Sequence, residues 1–198
     1  MMPVAILCGG RGTRLGALTD STPKSLVEVG GQPFIQHQIR LLWAAGYADI
    51  VLLMDHQWHL LTYAMMHTPG VRMFYDRPPA LGTAGAVRAV LSELGDWFFT
   101  LYGDAYLECD YGGIEQQFRE SGKLGLLTTW QGVDYGLSAF HRDAFVRYPD
   151  ISHLPTLHAA LRTDSQLATI AMPQKFLQMG DPAGLQEVDV YLRSAVSR

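Results

Sequence analysis

The stretch ILCGGRGTRLGALTDSTPKSLVEVGG, residues 6–31, decides how this chain is read. An apolar run, PVAILC (3–8), enters a segment with six glycines, Arg11, Arg14 and Lys24. The run has the length and content of a buried strand. Gly9, Gly10 and Gly12 lack side chains, so backbone there can approach a ligand and present successive N–H groups to phosphate oxygens. Arg14 adds a fork of donors matched to phosphate, and Lys24 a point-like charge. The spacing is neither GxxxxGK[ST] nor GxGxxG. Taken alone, the loop also admits a plain glycine-rich turn with surface cations.

Outward from this loop, apolar runs alternate with helical patterns. Pro33 opens a helix carrying Phe34, Ile35, Ile39, Leu42 and Trp43, which Gly46 ends. DIVLLM (49–54), VRMFY (71–75) and WFFTLY (97–102) read as strands, with a helix at 57–67 and another, capped by Thr83, running to about Leu94. IEQQFRES (114–121) reads as a helix, and LGLLTTW (124–130) and YGLSAF (135–140) as strands. Helical stretches around 142–147, 153–162 and 182–196 complete the chain, whose C-terminal third is less regular and suits a lid or an interface. Trp43, Trp58 and Tyr63 read as helix-face packing. Short buried strands between helices predict an α/β fold: a Rossmann-like, mostly parallel but mixed sheet with helices on both faces. Ligands in such folds collect beyond the carboxyl ends of the strands, where Gly9–Arg14, Leu81–Gly85 and Asp104 fall.

The bulk numbers agree. The 198 residues are 48% hydrophobic and 17% charged, enough for one domain with a substantial core. No run is long enough to cross a bilayer. The start MMPVAILCGG lacks a basic leader and reads as a core strand, not a secretory signal. Cys8 and Cys109 suggest neither a disulfide framework nor structural zinc, which fits a cytoplasmic protein. Net charge is −4 with no basic block, so neither nucleic acid nor membrane is an expected partner. His56 and His59 have ligand-like spacing but no completing carboxylate or cysteine.

The glycine segment resembles the start of the sugar-1-phosphate nucleotidyltransferases, the nucleotide-sugar pyrophosphorylases. Their GGxGTRL block matches Gly9–Leu15, and PKxL matches Pro23–Leu26. LGTAGA appears as Leu81–Ala86, a Gly-Asp pair ending a strand as Gly103-Asp104, and an IGxPxxL-like block in MGDPAGL (179–185). The wording looks most like the small heptose- or hexose-1-phosphate branch. The resemblance implies a GT-A-like fold in one domain, 1–198. The nucleotide part would span about 1–110 and the sugar-phosphate part about 111–198. It also implies a nucleoside triphosphate and a sugar 1-phosphate as substrates, Mg²⁺ as cofactor, and room for a homodimer. Residue by residue, Leu7, Gly9, Gly10, Gly12, Thr13, Arg14, Leu81, Thr83, Gly85 and Gly103 would bind nucleotide. Arg14, Lys24 and Asp104 would carry catalysis, while Lys24, Asp134, Tyr135 and Gly136 would meet the sugar phosphate. Asp104 and Gln178 would hold the metal.

Two departures qualify the match. Gln178 stands where the family usually has a second metal carboxylate, and Asp181 replaces a small hydroxyl residue. The family also carries a longer stretch, often with a sugar-phosphate lysine, where Trp130 here passes almost at once to Asp134. No lysine lies between Lys123 and Lys175. Either the arm is lost or a mobile stretch is missing from the numbering. These departures keep a second function in play: a nucleotide-binding or regulatory module that has lost transfer. A phosphocholine-type cytidylyltransferase, with Trp130 and Tyr135 caging the amine, is a further alternative. A nicotinamide-dependent oxidoreductase using Asp55 fails on the glycine spacing.

Overall fold

Apolar runs and amphipathic segments resolve, in the computed structural model, into one central sheet wrapped by helices; the structure describes residues 1–75 and 80–196. The chain runs β1 (Val4–Leu7), β2 (Glu28–Val29), β3 (Gln32–Pro33), α1 (Phe34–Ala44), β4 (Ile50–Met54), α2 (Trp58–Met65) and β5 (Val71–Tyr75). It continues with α3 (Gly82–Ala89), α4 (Leu91–Leu94), β6 (Trp97–Tyr102), β7 (Ala105–Tyr106), α5 (Tyr111–Ser121), β8 (Gly125–Trp130) and β9 (Val133–His141). The last elements are α6 (Asp143–Arg147), α7 (Leu154–Thr163), β10 (Leu167–Ala171), β11 (Leu177–Gln178) and α8 (Pro182–Val196).

Seven strands form the main sheet in the order β10-β8-β9-β6-β1-β4-β5. Strand β9 alone runs antiparallel to its neighbours, β6 and β8. The carboxyl ends of β1, β4, β6 and β8 therefore share one edge, and the amino end of β9 arrives at that same edge. Alternate residues of β1 point to opposite faces. Val4 and Ile6 pack into the cluster holding Ile39 and Leu42 of α1, Leu61 of α2 and Phe118 of α5. Ala5 packs into the opposite cluster, with Val87 of α3, Phe145 of α6 and Leu157 of α7. A third cluster joins Leu15 and Val27, from the glycine-rich segment, to Phe34 of α1 and Val188 and Leu192 of α8. The C-terminal helix thus fastens the glycine-rich segment to the body.

Several sequence expectations need correction. The C-terminal third holds a regular strand, β10, paired in parallel with β8. It occupies the sheet edge and is only partly covered, so its apolar pattern is weak. Thr83 does not cap a helix. Helix α3 begins one residue earlier, and the Thr83 hydroxyl accepts the Leu154 N–H at 2.9 Å. The expected helix to Leu94 breaks at Val90, whose φ of −119° leaves the helical region and separates α3 from α4. Tyr63 is 81% exposed, and Trp58 stacks on Tyr75 at 4.4 Å instead of entering the core. The Trp130–Asp134 junction is a two-residue hairpin turn. Trp130 pairs with Val133, and Gln131 and Gly132 take φ values of 49° and 80°, the left-handed pair such turns require.

Candidate active site

The site begins where three strands end together. The Cys8 N–H donates to the Leu53 carbonyl at 2.7 Å, and the Gly103 N–H donates to the Leu7 carbonyl at 3.0 Å. A Cβ at Gly103 would stand 2.7 Å from that carbonyl oxygen and 3.2 Å from the Cys8 Cα. Only glycine lets β6 close on β1 here. After β1 the chain turns at Gly12, whose φ is 65°. Its carbonyl accepts the Leu15 N–H at 2.8 Å and the Thr19 hydroxyl at 3.0 Å, starting a short 3-10 segment over Thr13–Thr19. A Cβ at Gly12 would meet the Thr19 Cγ2 at 2.8 Å, whereas one at Gly10 would meet nothing within 4 Å. Gly12 is needed for the fold; Gly10 is open toward solvent.

Asp104 sits in the turn between β6 and β7. Its carboxylate accepts the Lys24 ammonium at 2.6 Å, with 11% and 19% of the two side chains exposed. Its other oxygen faces the Gln178 amide nitrogen at 3.4 Å. Strand β11 carries Gln178 beside Ala105 of β7, and the Met179 N–H donates to the Asp104 carbonyl at 2.8 Å. Asp181 is committed elsewhere: its Oδ1 accepts the Gly184 N–H at 2.9 Å, capping α8. Arg14 reaches across the loop, its guanidinium 3.7 Å from where a Gly180 Cβ would lie.

These groups surround a cavity of about 480 Å³ at the carboxyl edge of the sheet. Leu7, Gly9, Gly10, Gly12, Thr13, Arg14, Lys24, Thr83, Gly103, Asp104 and Gln178 all line it. Leu81 and Gly85 are not among its lining residues. Leu81 is 41% exposed, and the Gly85 N–H donates to the Ser152 carbonyl at 3.2 Å. Asp134 is not among the lining residues; it accepts the hydroxyl of Tyr102, which does line the cavity, at 3.4 Å. Burial raises the Asp134 pKa, against the opposing pull of the Gly136 N–H and that hydroxyl. Burial also raises the Tyr102 phenol, with Asp134 adding to it. A Cβ at Gly136 would stand 3.1 Å from the Ala105 Cβ and 3.5 Å from the Tyr102 ring. Tyr135 lines a second, smaller cavity of about 240 Å³ with Tyr106, Lys175, Glu187 and Tyr191.

Among the cavity residues that sequence reasoning gave no role are Ser25, Tyr102 and His153. Ser25 is buried beside the Cys8 thiol and lines the cavity; its only signal is its place after Lys24. Tyr102 was legible as the last residue of a strand, without a role. His153 comes from the segment before α7, far away in sequence, and carries no local signal. Asp55, weighed only for an adenosine contact, also lines the cavity. Burial pushes the Cys8 and Cys109 thiols up to about 12, so neither offers a thiolate nucleophile. Exposed loop backbone, two cations (Arg14 and Lys24) and two carboxylates (Asp55 and Asp104) converge on the cavity, a set that suits a phosphate ligand bound with a cation.

A family model described as a MobA-like NTP transferase domain matches residues 4–166. A mannose-1-phosphate guanyltransferase of Schizosaccharomyces pombe is 34% identical over 134 residues, covering 64% of this chain and 37% of that protein. A mannose-1-phosphate guanylyltransferase catalytic subunit beta of Xenopus tropicalis is 30% identical over 166 residues, covering 76% and 46%. The chain thus spans less than half the length of these curated relatives. Among solved structures, a Bacillus anthracis protein described as a glucose-1-phosphate thymidylyltransferase superposes with a TM-score of 0.84 at 18% identity. The alignment covers 98% of this chain and 96% of that one, a likeness of fold.

Proposed function

We propose, from the premise that the chain belongs to the MobA-like NTP transferase family, that it transfers a nucleotidyl group from a nucleoside triphosphate to a sugar 1-phosphate. The observation that carries the reading is the convergence of the Gly9–Gly12 backbone, Arg14, Lys24 and Asp104 on one cavity. Because two relatives are named mannose-1-phosphate guanyl- or guanylyltransferases, GTP with mannose 1-phosphate is the first pair to test.

In the proposed reaction a phosphate oxygen of the sugar 1-phosphate attacks the α-phosphorus. The bond from that phosphorus to the α,β-bridging oxygen breaks, and pyrophosphate leaves with the electron pair. The attacking oxygen is already anionic near neutral pH, so no general base is needed. Bringing the two anions together is the difficulty: unit charges at 4 Å repel by about 4 kcal/mol at an effective dielectric near 20. The backbone of Gly9, Gly10 and Gly12 would take the triphosphate, and Arg14 its β- and γ-phosphates and the departing pyrophosphate. Lys24 would turn from Asp104 toward the α-phosphate or its attacker. Leu7, Thr13, Thr83 and Gly103, which line the cavity, would border base and ribose, with Asp134, Tyr135 and Gly136 toward the sugar. Residues up to about 110 would thus serve the nucleotide and the remainder the sugar phosphate.

Asp104 and Gln178 would hold Mg²⁺. Among the described residues no three His, Cys, Asp or Glu side chains cluster as a metal cage. The Gln178 amide nitrogen faces Asp104 in this structure, so the amide would have to turn its oxygen inward; one carboxylate and one amide oxygen then fit a hard cation that keeps waters and takes its remaining oxygens from phosphates. When bound, the ion supplies charge neutralisation at the phosphate oxygens. Among the described residues no helix is long and apolar enough to cross a membrane, and the proposed setting is the cytoplasm, where nucleoside triphosphates are available.

Pyrophosphate release tests the proposal, with Mg²⁺, each common nucleoside triphosphate, and a panel of hexose and heptose 1-phosphates. The expected result is release requiring one triphosphate and one sugar phosphate, abolished by EDTA and collapsing in Asp104→Ala and Arg14→Ala. Nucleotide binding without release from any pair would overturn it in favour of a binding module. Gln178 and the two-residue turn after Trp130 support that second reading.

A further inference from the structure

Gln38 lies in α1 and is 1% exposed, yet its side chain is polar. Its Nε2 donates to the Tyr102 carbonyl at 2.9 Å and to the Ala105 carbonyl at 2.7 Å. Those two carbonyls bracket Gly103-Asp104. Its Oε1 is buried without a partner among the described residues. A side chain chosen only to fill the core would avoid that unpaired oxygen, whose burial costs stability. Leucine or methionine would fill similar space without a polar atom. What they lack is one atom with two N–H donors, and neutral side chains offer that only in an amide.

We propose that Gln38 is a positioning residue for Asp104. It holds both ends of the turn without itself lining the cavity, so the carboxylate stands where Lys24, Gln178 and incoming phosphates meet it. The turn is also held by the Gly103 N–H on the Leu7 carbonyl, the Met179 N–H on the Asp104 carbonyl, the pairing of Ala105 with Gln178 and the Lys24–Asp104 ion pair. None of these joins its two ends through one side chain. The part of this inference that concerns turnover rests on the transferase reading above; the part that concerns the turn does not.

The test compares Gln38→Met and Gln38→Glu with Leu42→Ala, a change in the same helix at a buried core residue. Hydrogen exchange followed by mass spectrometry is read on peptides covering 100–108 and 176–181 and on α1. Both Gln38 variants are expected to exchange at least tenfold faster in the first two peptides, with α1 unchanged. Leu42→Ala is expected to loosen α1 and the sheet without singling out the turn. In turnover, Gln38→Met is expected to lower kcat at least tenfold while KM for the triphosphate moves less than threefold. Leu42→Ala, assayed well below its Tm, is expected to keep kcat. Uniform loosening by the Gln38 variants, or no change at 100–108, would overturn the inference, as would an unchanged kcat in an active enzyme. If the wild type shows no transfer, the function fails on its own assay and the exchange result still decides the role of Gln38.

Discussion

Replacing Gly10 by alanine separates what the loop does for the fold from what it does for a ligand. A Cβ at Gly10 meets no atom within 4 Å, and its φ lies outside the left-handed range. The folded protein accommodates the methyl without strain, while the unfolded chain loses freedom. Such a change stabilises by about 0.4–1 kcal/mol. For a domain of this size each kcal/mol moves Tm by about 2–4 °C, so Tm should rise by about 1–4 °C. The methyl points into space that, in the proposed reaction, triphosphate oxygens approach. Loss of a single charge-assisted backbone contact is worth about 1.5–3 kcal/mol. KM for the triphosphate should therefore rise at least tenfold, tenfold being about 1.4 kcal/mol. Differential scanning fluorimetry gives Tm, and pyrophosphate release at varied triphosphate gives KM. A Tm unchanged or raised with an unaltered KM would refute the idea that the open backbone at Gly10 serves the nucleotide. A fall in Tm of several degrees would refute the steric reading of the loop.

Gly103→Ala should behave in the opposite way. Its Cβ would press on the Leu7 carbonyl at 2.7 Å and on the Cys8 Cα, and overpacking of this kind costs about 1–3 kcal/mol. Tm should then fall by roughly 2–12 °C, and activity should be lost because Asp104 moves with its neighbour; a neutral Tm would refute this. His158 gives a pH test. Burial, with Arg162 adding to it, lowers its pKa from 6.5 to about 4, and its ring stacks on Phe140 at 5.4 Å. Between those values the unfolded chain binds more protons, so stability falls as pH drops through the window, by up to about 3 kcal/mol. In His158→Phe, denaturant unfolding from pH 7 to 4 should show a correspondingly shallower loss, and parallel curves would refute the assignment.

Much of the fold was legible because its core strands are continuous apolar runs: β1, β4, β5 and β6 lie within a residue or two of where their patterns put them. The edge strand β10 escaped, since LATIA is small, half-exposed and lacks the bulk that marks a buried strand. Pattern also cannot reveal a hydroxyl used from a distance. Thr83 looked like a cap, but its oxygen serves Leu154, 71 residues on. For the candidate site, the loop, Asp104 and Gln178 came from motif resemblance, and their shared cavity is a fact of the tertiary structure. Tyr135 carried the same kind of resemblance yet lines the second cavity, because alternate residues of a strand face opposite ways. Gln38 had no legible signal: inside an amphipathic helix it looks like any polar residue, and only the closeness of two carbonyls marks it.

The two-residue turn between β8 and β9 has a consequence for how this scaffold can change. It lies at the carboxyl edge of β8, the edge that also holds the cavity. A flexible insertion there would extend over the acceptor side without altering a single strand register. Loop closure grows so slowly with length that each doubling costs only about 0.6 kcal/mol. A whole substrate-gripping arm, with lysines of its own, is therefore within reach of one insertion at Gln131-Gly132. If the proposed transfer holds, the range of acceptors can evolve, or be engineered, at that one point almost independently of folding.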